Sequence, residues 1–292
     1  MVIDCHAHYE PRILSLEKLI KNMDEAGIKK TVLIPLLTDP PETMKSDFLM
    51  AVQRFMMYST LLRPIAITIT KSMYKQNREW NLWFNKFSKK TQSFSIVARP
   101  NNQEVSEVIS RHPERFLGWI FINPCNDNAL DELEKYRQVR GMIGIKIHPF
   151  WHSFPINKVE KIARRAEELG FPMLVHLGFG ESGDYTWLVK RFAKLKIIFA
   201  HLGVPFYKDM WHIVKDSPNG FMDIASTYHV NERFVKNAVK AVGPHKCLFG
   251  TDSPYAHSDA VVRIKGWVEN LTISDSDKEK IFFKNFLDII NR

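Results

Sequence analysis

Cysteine is scarce in this chain. Cys5, Cys125 and Cys247, in 292 residues, are too few and too scattered for a disulfide framework. They fit a reducing cytoplasm, with buried thiols as the plain reading. Long apolar runs are missing too. Nothing approaches the roughly 18 residues that a membrane span needs, and no basic segment followed by an apolar one marks an N-terminal signal. The chain lacks a glycine-rich phosphate loop after an early strand, zinc-finger spacing, and any RNA-recognition or helix-turn-helix pattern. It carries no internal repeat and no low-complexity segment. These absences point to a soluble, cytoplasmic globular protein with no membrane and no nucleic-acid partner. The net charge of +9, from 41 basic and 32 acidic residues, is dispersed along helical stretches and reads as solvated surface. It leaves room for a small-molecule substrate that is anionic.

What is present is an alternation of short β-branched runs with longer amphipathic stretches. Strands are expected at Val2–Cys5, Thr31–Leu37, Phe116–Ile122, Met142–Ile147, Met173–His176, Ile197–His201, Gly220–Ile224 and Cys247–Gly250. Helical patterns fall at Leu14–Ala26, Ala129–Val139, Ile156–Leu169, Thr186–Leu195, Glu232–Val242 and Ala260–Asn270. Many strands are apolar on both faces, as in a parallel sheet covered on both sides. Eight such units predict an α/β fold, a (β/α)8 TIM barrel formed by residues 1–292 as one domain, with a helical insertion at about 41–100 after the second strand and a C-terminal helix. The alternative, an open doubly wound sheet, calls for the phosphate loop that is missing.

Within the long second connection, Met44–Leu61 reads as helix and Arg63–Thr70 as strand. Trp80, Trp83, Phe84 and Phe87 then follow i, i+3, i+4, i+7 spacing, one helical face in a basic segment spanning 71–90. An ordinary packed stripe is the favoured reading; a lid or a subunit interface, and with it a homodimer, is the alternative. Ser276 to Glu279 fits a capping box, and Ile281, Phe282, Phe286, Leu287 and Ile290 give a stripe expected to dock on the barrel exterior.

Barrel enzymes carry their working groups at the C-terminal ends of strands. His6 and His8 end the first strand, His148 follows the fourth, His176 ends the fifth, His201 the sixth and Asp252 the eighth. Strand alternation puts Asp4, His6 and His8 on one face, with Cys5 and Ala7 opposite. Paired imidazoles at a strand tip suit a borderline-soft metal such as zinc. A cation with an open position lowers the pKa of bound water to about 7, and a carboxylate beside it can move a proton. Lys146 shares a face with His148. It reads as a cation for a substrate carboxylate or a buried ion-pair partner of Asp4. His148 and Trp151 read as pocket lining, and His152 as an exposed loop residue. Asp4 is expected to orient a ligand from behind the metal, and Asp223 to do similar work or to form a buried ion pair. His112, His212, His229, His245 and His257 read mostly as surface residues, with His229 and His257 near enough to approach the pocket.

Five segments carry a resemblance to a known family: Ile3-Asp4-Cys5-His6-Ala7-His8, Gly144-Ile145-Lys146-Ile147-His148-Pro149, Leu174-Val175-His176, Ala200-His201-Leu202-Gly203 and Phe249-Gly250-Thr251-Asp252-Ser253-Pro254. Together they resemble the amidohydrolase superfamily, in the branch that includes aminocarboxymuconate-semialdehyde decarboxylase-like enzymes. Lys284-Asn285-Phe286 resembles that branch's closing helix. The resemblance implies one divalent ion, zinc first with manganese or iron as alternatives, held by His6, His8, His176 and Asp252. It implies that Asp252 shares a proton with the bound water and that His201 steadies that water or a developing oxyanion; the binuclear members of the superfamily imply the alternative, with His201 as a ligand and Lys146 as a bridge between two metals. The reaction expected first is hydrolysis of an amide, lactone or related carbonyl; the second is non-oxidative decarboxylation of a small unsaturated or aromatic acid. A non-enzymatic binding module predicts a broken ligand position, and none is broken.

Overall fold

The protein is described here by a computed structural model covering residues 1–39, 47–72, 79–81, 93–178 and 183–291. Eight strands, β1 (Ile3–His8), β2 (Lys30–Ile34), β3 (Phe116–Phe121), β4 (Met142–Ile147), β5 (Met173–Val175), β6 (Ile197–Phe199), β7 (Gly220–Asp223) and β8 (Cys247–Leu248), follow one another in one sheet. Every pairing is parallel. The ends meet through backbone bonds: Cys5 N donates to Phe249 O at 3.0 Å and Asp252 N to His6 O at 2.7 Å. The α/β TIM barrel expected from the sequence is the observed fold.

Alternation sorts the strand residues. Val32, Ile34, Trp119, Phe121, Leu174, Ile198 and Leu248 fill the barrel interior. Leu33, Ile120, Ile145, Ile147, Met173, Val175, Ile197 and Phe199 face the surrounding helices. Helices Leu16–Ala26, Ala129–Tyr136, Glu160–Leu169 and Glu232–Val242 cover that outer face with their apolar sides. Gly144 makes room inside: a Cβ there would lie 2.5 Å from both the Pro172 carbonyl oxygen and the Trp119 ring. Lys146 lies on the same inward face of β4 and is completely buried.

β1 departs from simple alternation. Its register against β2 shifts between Asp4 and Ala7, one extra residue on β1. Ile3 and Cys5 therefore join the interior cluster, and Asp4 does not share the direction of His6 and His8. Its carboxylate accepts instead from Thr251 N at 3.0 Å and Thr251 Oγ1 at 2.6 Å.

The second connection differs from its expected form. Arg63–Ser72 is a helix, not a strand, with Pro64 in its first turn where no N–H is needed. It follows helix Asp47–Tyr58. A small antiparallel sheet joins Thr38–Asp39, Ser93–Ile96 and Glu79–Asn81. Trp80 thus sits in a strand, while Trp83, Phe84 and Phe87 lie outside the described residues. Two helices that periodicity missed, Asn102–Arg111 and Tyr207–Asp216, complete the outer layer.

The N-cap of the C-terminal helical stretch is Ser274, not Ser276: its Oγ accepts from Asp277 N at 3.1 Å and donates to Asp277 Oδ2 at 2.9 Å. The last helix, Asn285–Ile290, does not stay outside the barrel. Phe286 and Ile289 join the interior cluster near Ile3 and Trp119. Asn285 Nδ2 donates to Pro244 O at 2.9 Å and Cys247 O at 2.8 Å, which fixes that helix at the start of β8. Asn285→Ala leaves two carbonyls without their donor and should lower stability by about 1–3 kcal/mol, read from urea unfolding.

Candidate metal centre

One cavity at the C-terminal end of the barrel is lined by His6, His8, Lys146, His148, Trp151, His176, His201 and Asp252. All the predicted ligand, catalytic and substrate-binding residues therefore face one space. Asp4 stands apart, behind Thr251, where it tethers the segment leading to Asp252. Its carboxyl is pushed up to about 7 by burial, partly countered by its bonds from Thr251 and His6. The expected contact of Asp4 with Lys146 is not made. Lys146 instead places Nζ 3.4 Å from His6 Nε2. Burial pulls its pKa down to about 8, against the pull of Asp223 and Asp252. His152 is buried rather than exposed, its Nε2 3.1 Å from Val97 O.

The strand tips that carry the site are conformationally unusual. His201, Ser226 and Asp252 all have positive φ, at 55°, 71° and 62°. Such backbone persists only where surrounding bonds hold it, and it clusters at functional sites. Here the Asp252 amide is held by His6 O and the His201 amide by Asp223 Oδ1 at 2.8 Å.

The imidazoles are prepared in a uniform way. A carbonyl or carboxylate oxygen only accepts, so a ring nitrogen bonded to one carries the proton. His6 Nδ1 meets Asp223 Oδ2 at 2.8 Å, His8 Nδ1 meets Pro35 O at 3.4 Å, His176 Nδ1 meets Leu177 O at 2.7 Å, and His201 Nδ1 meets Ala225 O at 3.1 Å. Each ring thus keeps its unprotonated Nε2 on the cavity side, that of His6 within reach of Lys146 Nζ, through the outer bonding that orients metal-binding histidines. Burial holds His8 below the ordinary histidine range and His176 and His201 well below it, so the lone pairs stay free of protons. Burial alone would raise Asp252, but its contacts with His201, His8 and His6 draw its carboxyl below the ordinary range.

His148 is prepared the opposite way. Its Nδ1 accepts from Trp151 N at 3.1 Å, so the neutral ring carries its proton on Nε2. Burial keeps it neutral. It stacks on His176 with centroids 3.8 Å apart. His148 is a hydrogen-bond donor, not a ligand.

Asp252 Oδ1 lies 3.5 Å from His6 Nε2 and 3.5 Å from His8 Nε2. Donors bound tetrahedrally at the usual metal–nitrogen distance are separated by about 3.4 Å. The three atoms therefore fit the edges of one coordination shell. His176, the expected fourth ligand, groups instead with His201 and His229, their donor atoms all within 4.8 Å of one another. His229 was noted in the sequence only as able to approach the pocket; it follows β7 by six residues, with nothing local to mark it.

The family model described as Amidohydrolase matches residues 88–285. Among curated proteins, the gamma-resorcylate decarboxylase of Polaromonas sp. strain JS666 is 24% identical over 248 residues, covering 65% of this chain and 74% of its own. Among solved structures, 5-carboxyvanillate decarboxylase LigW from Sphingomonas paucimobilis has a TM-score of 0.61 at 12% identity, covering 99% of this chain and 98% of its own. The dihydroxybenzoic acid decarboxylase of Polaromonas sp. JS666, with bound manganese and the inhibitor 2-nitroresorcinol, has a TM-score of 0.58 at 16% identity, covering 99% and 96%. The expectation of an amide- or lactone-hydrolysing enzyme does not survive this comparison, since all three relatives are named as decarboxylases. A divalent metal is supported by that bound manganese and by the His6, His8, Asp252 donor group. Among the described residues no helix is long and apolar enough to cross a membrane.

Asp223→Asn keeps every ligand atom but weakens the acceptor that fixes the His6 tautomer. It should reduce metal affinity by about 10–100-fold in competition with a chelator.

Proposed function

This chain belongs to the amidohydrolase family, and on that premise we propose that it is a metal-dependent, non-oxidative decarboxylase of a small aromatic or unsaturated carboxylic acid. The observation that carries the reading is the placement of three metal-fitting donors, His6, His8 and Asp252, in the same cavity as two groups suited to an anion, Lys146 and His148. The curated relative is a gamma-resorcylate decarboxylase, as its name states. Zinc and manganese both suit two imidazoles and a carboxylate. When bound, the ion supplies Lewis-acid charge for substrate oxygens.

The remaining work falls to the chain. Lys146, buried and cationic at neutral pH, attracts the substrate carboxylate into the cavity. His148 offers a fixed Nε2–H to a carboxylate or phenol oxygen. His201, with a bare Nε2, accepts from a substrate hydroxyl. Asp252 is ionised and takes a proton, for a hydroxybenzoate from the phenol group. It returns that proton to the ring carbon bearing the carboxylate. The carbon–carbon bond then breaks, its electron pair restoring the ring as carbon dioxide leaves, and one proton from solvent neutralises the product phenolate. Leu37, Phe150, Trp151 and Tyr255 wall the cavity and limit water.

Incubation of metal-loaded protein with hydroxybenzoates should release carbon dioxide and the decarboxylated phenol, with activity lost to a chelator and regained with zinc or manganese. Asp252→Asn at saturating metal should lower kcat by about 10²–10⁴-fold. Absence of carbon dioxide across aromatic and unsaturated acids, from protein shown to hold metal, would refute the proposal.

A further inference from the structure

We propose that a small apolar chamber beside the metal cavity is a subsite for a short alkyl substituent on the substrate's ring, with Met57 setting the length it accepts. Met57, Leu177, Val204 and Pro205 form its apolar wall. They come from helix Asp47–Tyr58, the end of β5 and the loop after β6, and all four are buried. The chamber shares Gln53, His176, Tyr228 and His229 with the metal cavity, so the two spaces adjoin along these side chains. An acid held at Lys146 and His148 therefore has this chamber next to it. Its volume is about 30 Å³, room for about two heavy atoms.

Bonds between its walls hold the chamber in shape. One Arg54 terminal nitrogen donates to Thr227 O at 2.8 Å and to Tyr228 O at 3.4 Å. Tyr58 Oη donates to His229 O at 2.6 Å, and Tyr207 Oη donates to Tyr58 O at 3.1 Å. The Tyr58 ring stacks on Phe234 with centroids 4.2 Å apart. The helix that carries Met57 is thus tied to the loop after β7, and neither wall is free to close on the other. Carbon-lined space of this size offers water few partners. Each carbon of a ligand buried there strengthens binding about 4-fold.

Arg54 also borders the chamber, which makes an anionic substituent the competing occupant. The wall argues against it. One guanidinium nitrogen is already committed to two carbonyls. Hydrocarbon and thioether side chains on the other sides would strip an anion of its water without replacing those bonds.

The subsite rests on the proposed reaction only for the aromatic acid that enters the cavity, and binding and carbon dioxide release test the two separately. Metal-loaded full-length protein is titrated by calorimetry with salicylate and with its methyl, ethyl, butyl and carboxyl derivatives at each free ring carbon. At one ring position, methyl and ethyl should tighten binding about 4-fold per carbon, and butyl should lose that gain. Met57→Trp should erase the gain, and Met57→Ala should extend it to butyl, each in protein with a cooperative thermal melt. The wild-type series decides the question where a variant does not fold. No gain from ethyl at any position, a gain that persists in folded Met57→Trp, or tighter binding of a second carboxylate than of ethyl would overturn the subsite. Binding gains without carbon dioxide release would instead overturn the decarboxylase reading and leave the subsite standing.

Discussion

Asp223 ends β7 with no solvent exposure, and its two oxygens serve several strands at once. Oδ2 takes the Nδ1 proton of His6 on β1, while Oδ1 accepts from the backbone of His201 beyond β6 and of Ala225 beyond β7. A buried carboxylate is costly unless paired and fully bonded. This one is, and the same bonds decide which nitrogen of His6 faces the cavity and where His201 turns. The geometry of the proposed metal site thus depends on a residue outside its three donors, His6, His8 and Asp252.

The barrel supplies the distances that this arrangement needs. β1 and β8 meet through backbone bonds, and a Cβ on Gly250 would come within 3.0 Å of the His6 side chain. Close approach at that seam, together with the positive φ of Asp252, brings one carboxylate oxygen equally near to two imidazoles. The bulge in β1 contributes as well. It sends Ile3 and Cys5 into the core while His6 and His8 still reach the mouth. Strain and irregularity concentrate where the chemistry is, and regular pairing holds the rest.

Much of this was legible in the chain. Five of the apolar runs end in or lead into a His or Asp, so strand order and the convergence of His6, His8, His176, His201 and Asp252 on one cavity follow from position alone. The bulge was not legible, because it exists only in register against β2. Arg63–Thr70 misleads through its β-branched run, and only Pro64 hints at a helix start. His152 looks like a loop residue until the short turn after β4 folds it under the small sheet. His229 sits in an irregular loop whose course is fixed by contacts from a distant helix. Hydrolysis and decarboxylation ask for almost the same ligands, so the motifs could not choose between them, and relatives were needed to do so.

Charge balance explains why the proposed chemistry needs its ion. The carboxylates of Asp223 and Asp252 and the ammonium of Lys146 leave the pocket one unit negative. A carboxylate substrate entering it would add like charge in a medium that screens poorly. A divalent ion on His6, His8 and Asp252 reverses the sign to one unit positive, and a monoanionic substrate then brings the site to neutrality. When carbon dioxide leaves, the negative charge passes to the product phenolate. The proton that Asp252 moves from phenol to carbon leaves the sum unchanged, the solvent proton that neutralises the phenolate is the compensating change, and the neutral, donor-locked His148 can hold the substrate throughout without altering the sum. The same balance accounts for ligands made mostly of neutral imidazoles. More carboxylates would bind the ion more strongly but would leave too little positive charge to draw the acid in.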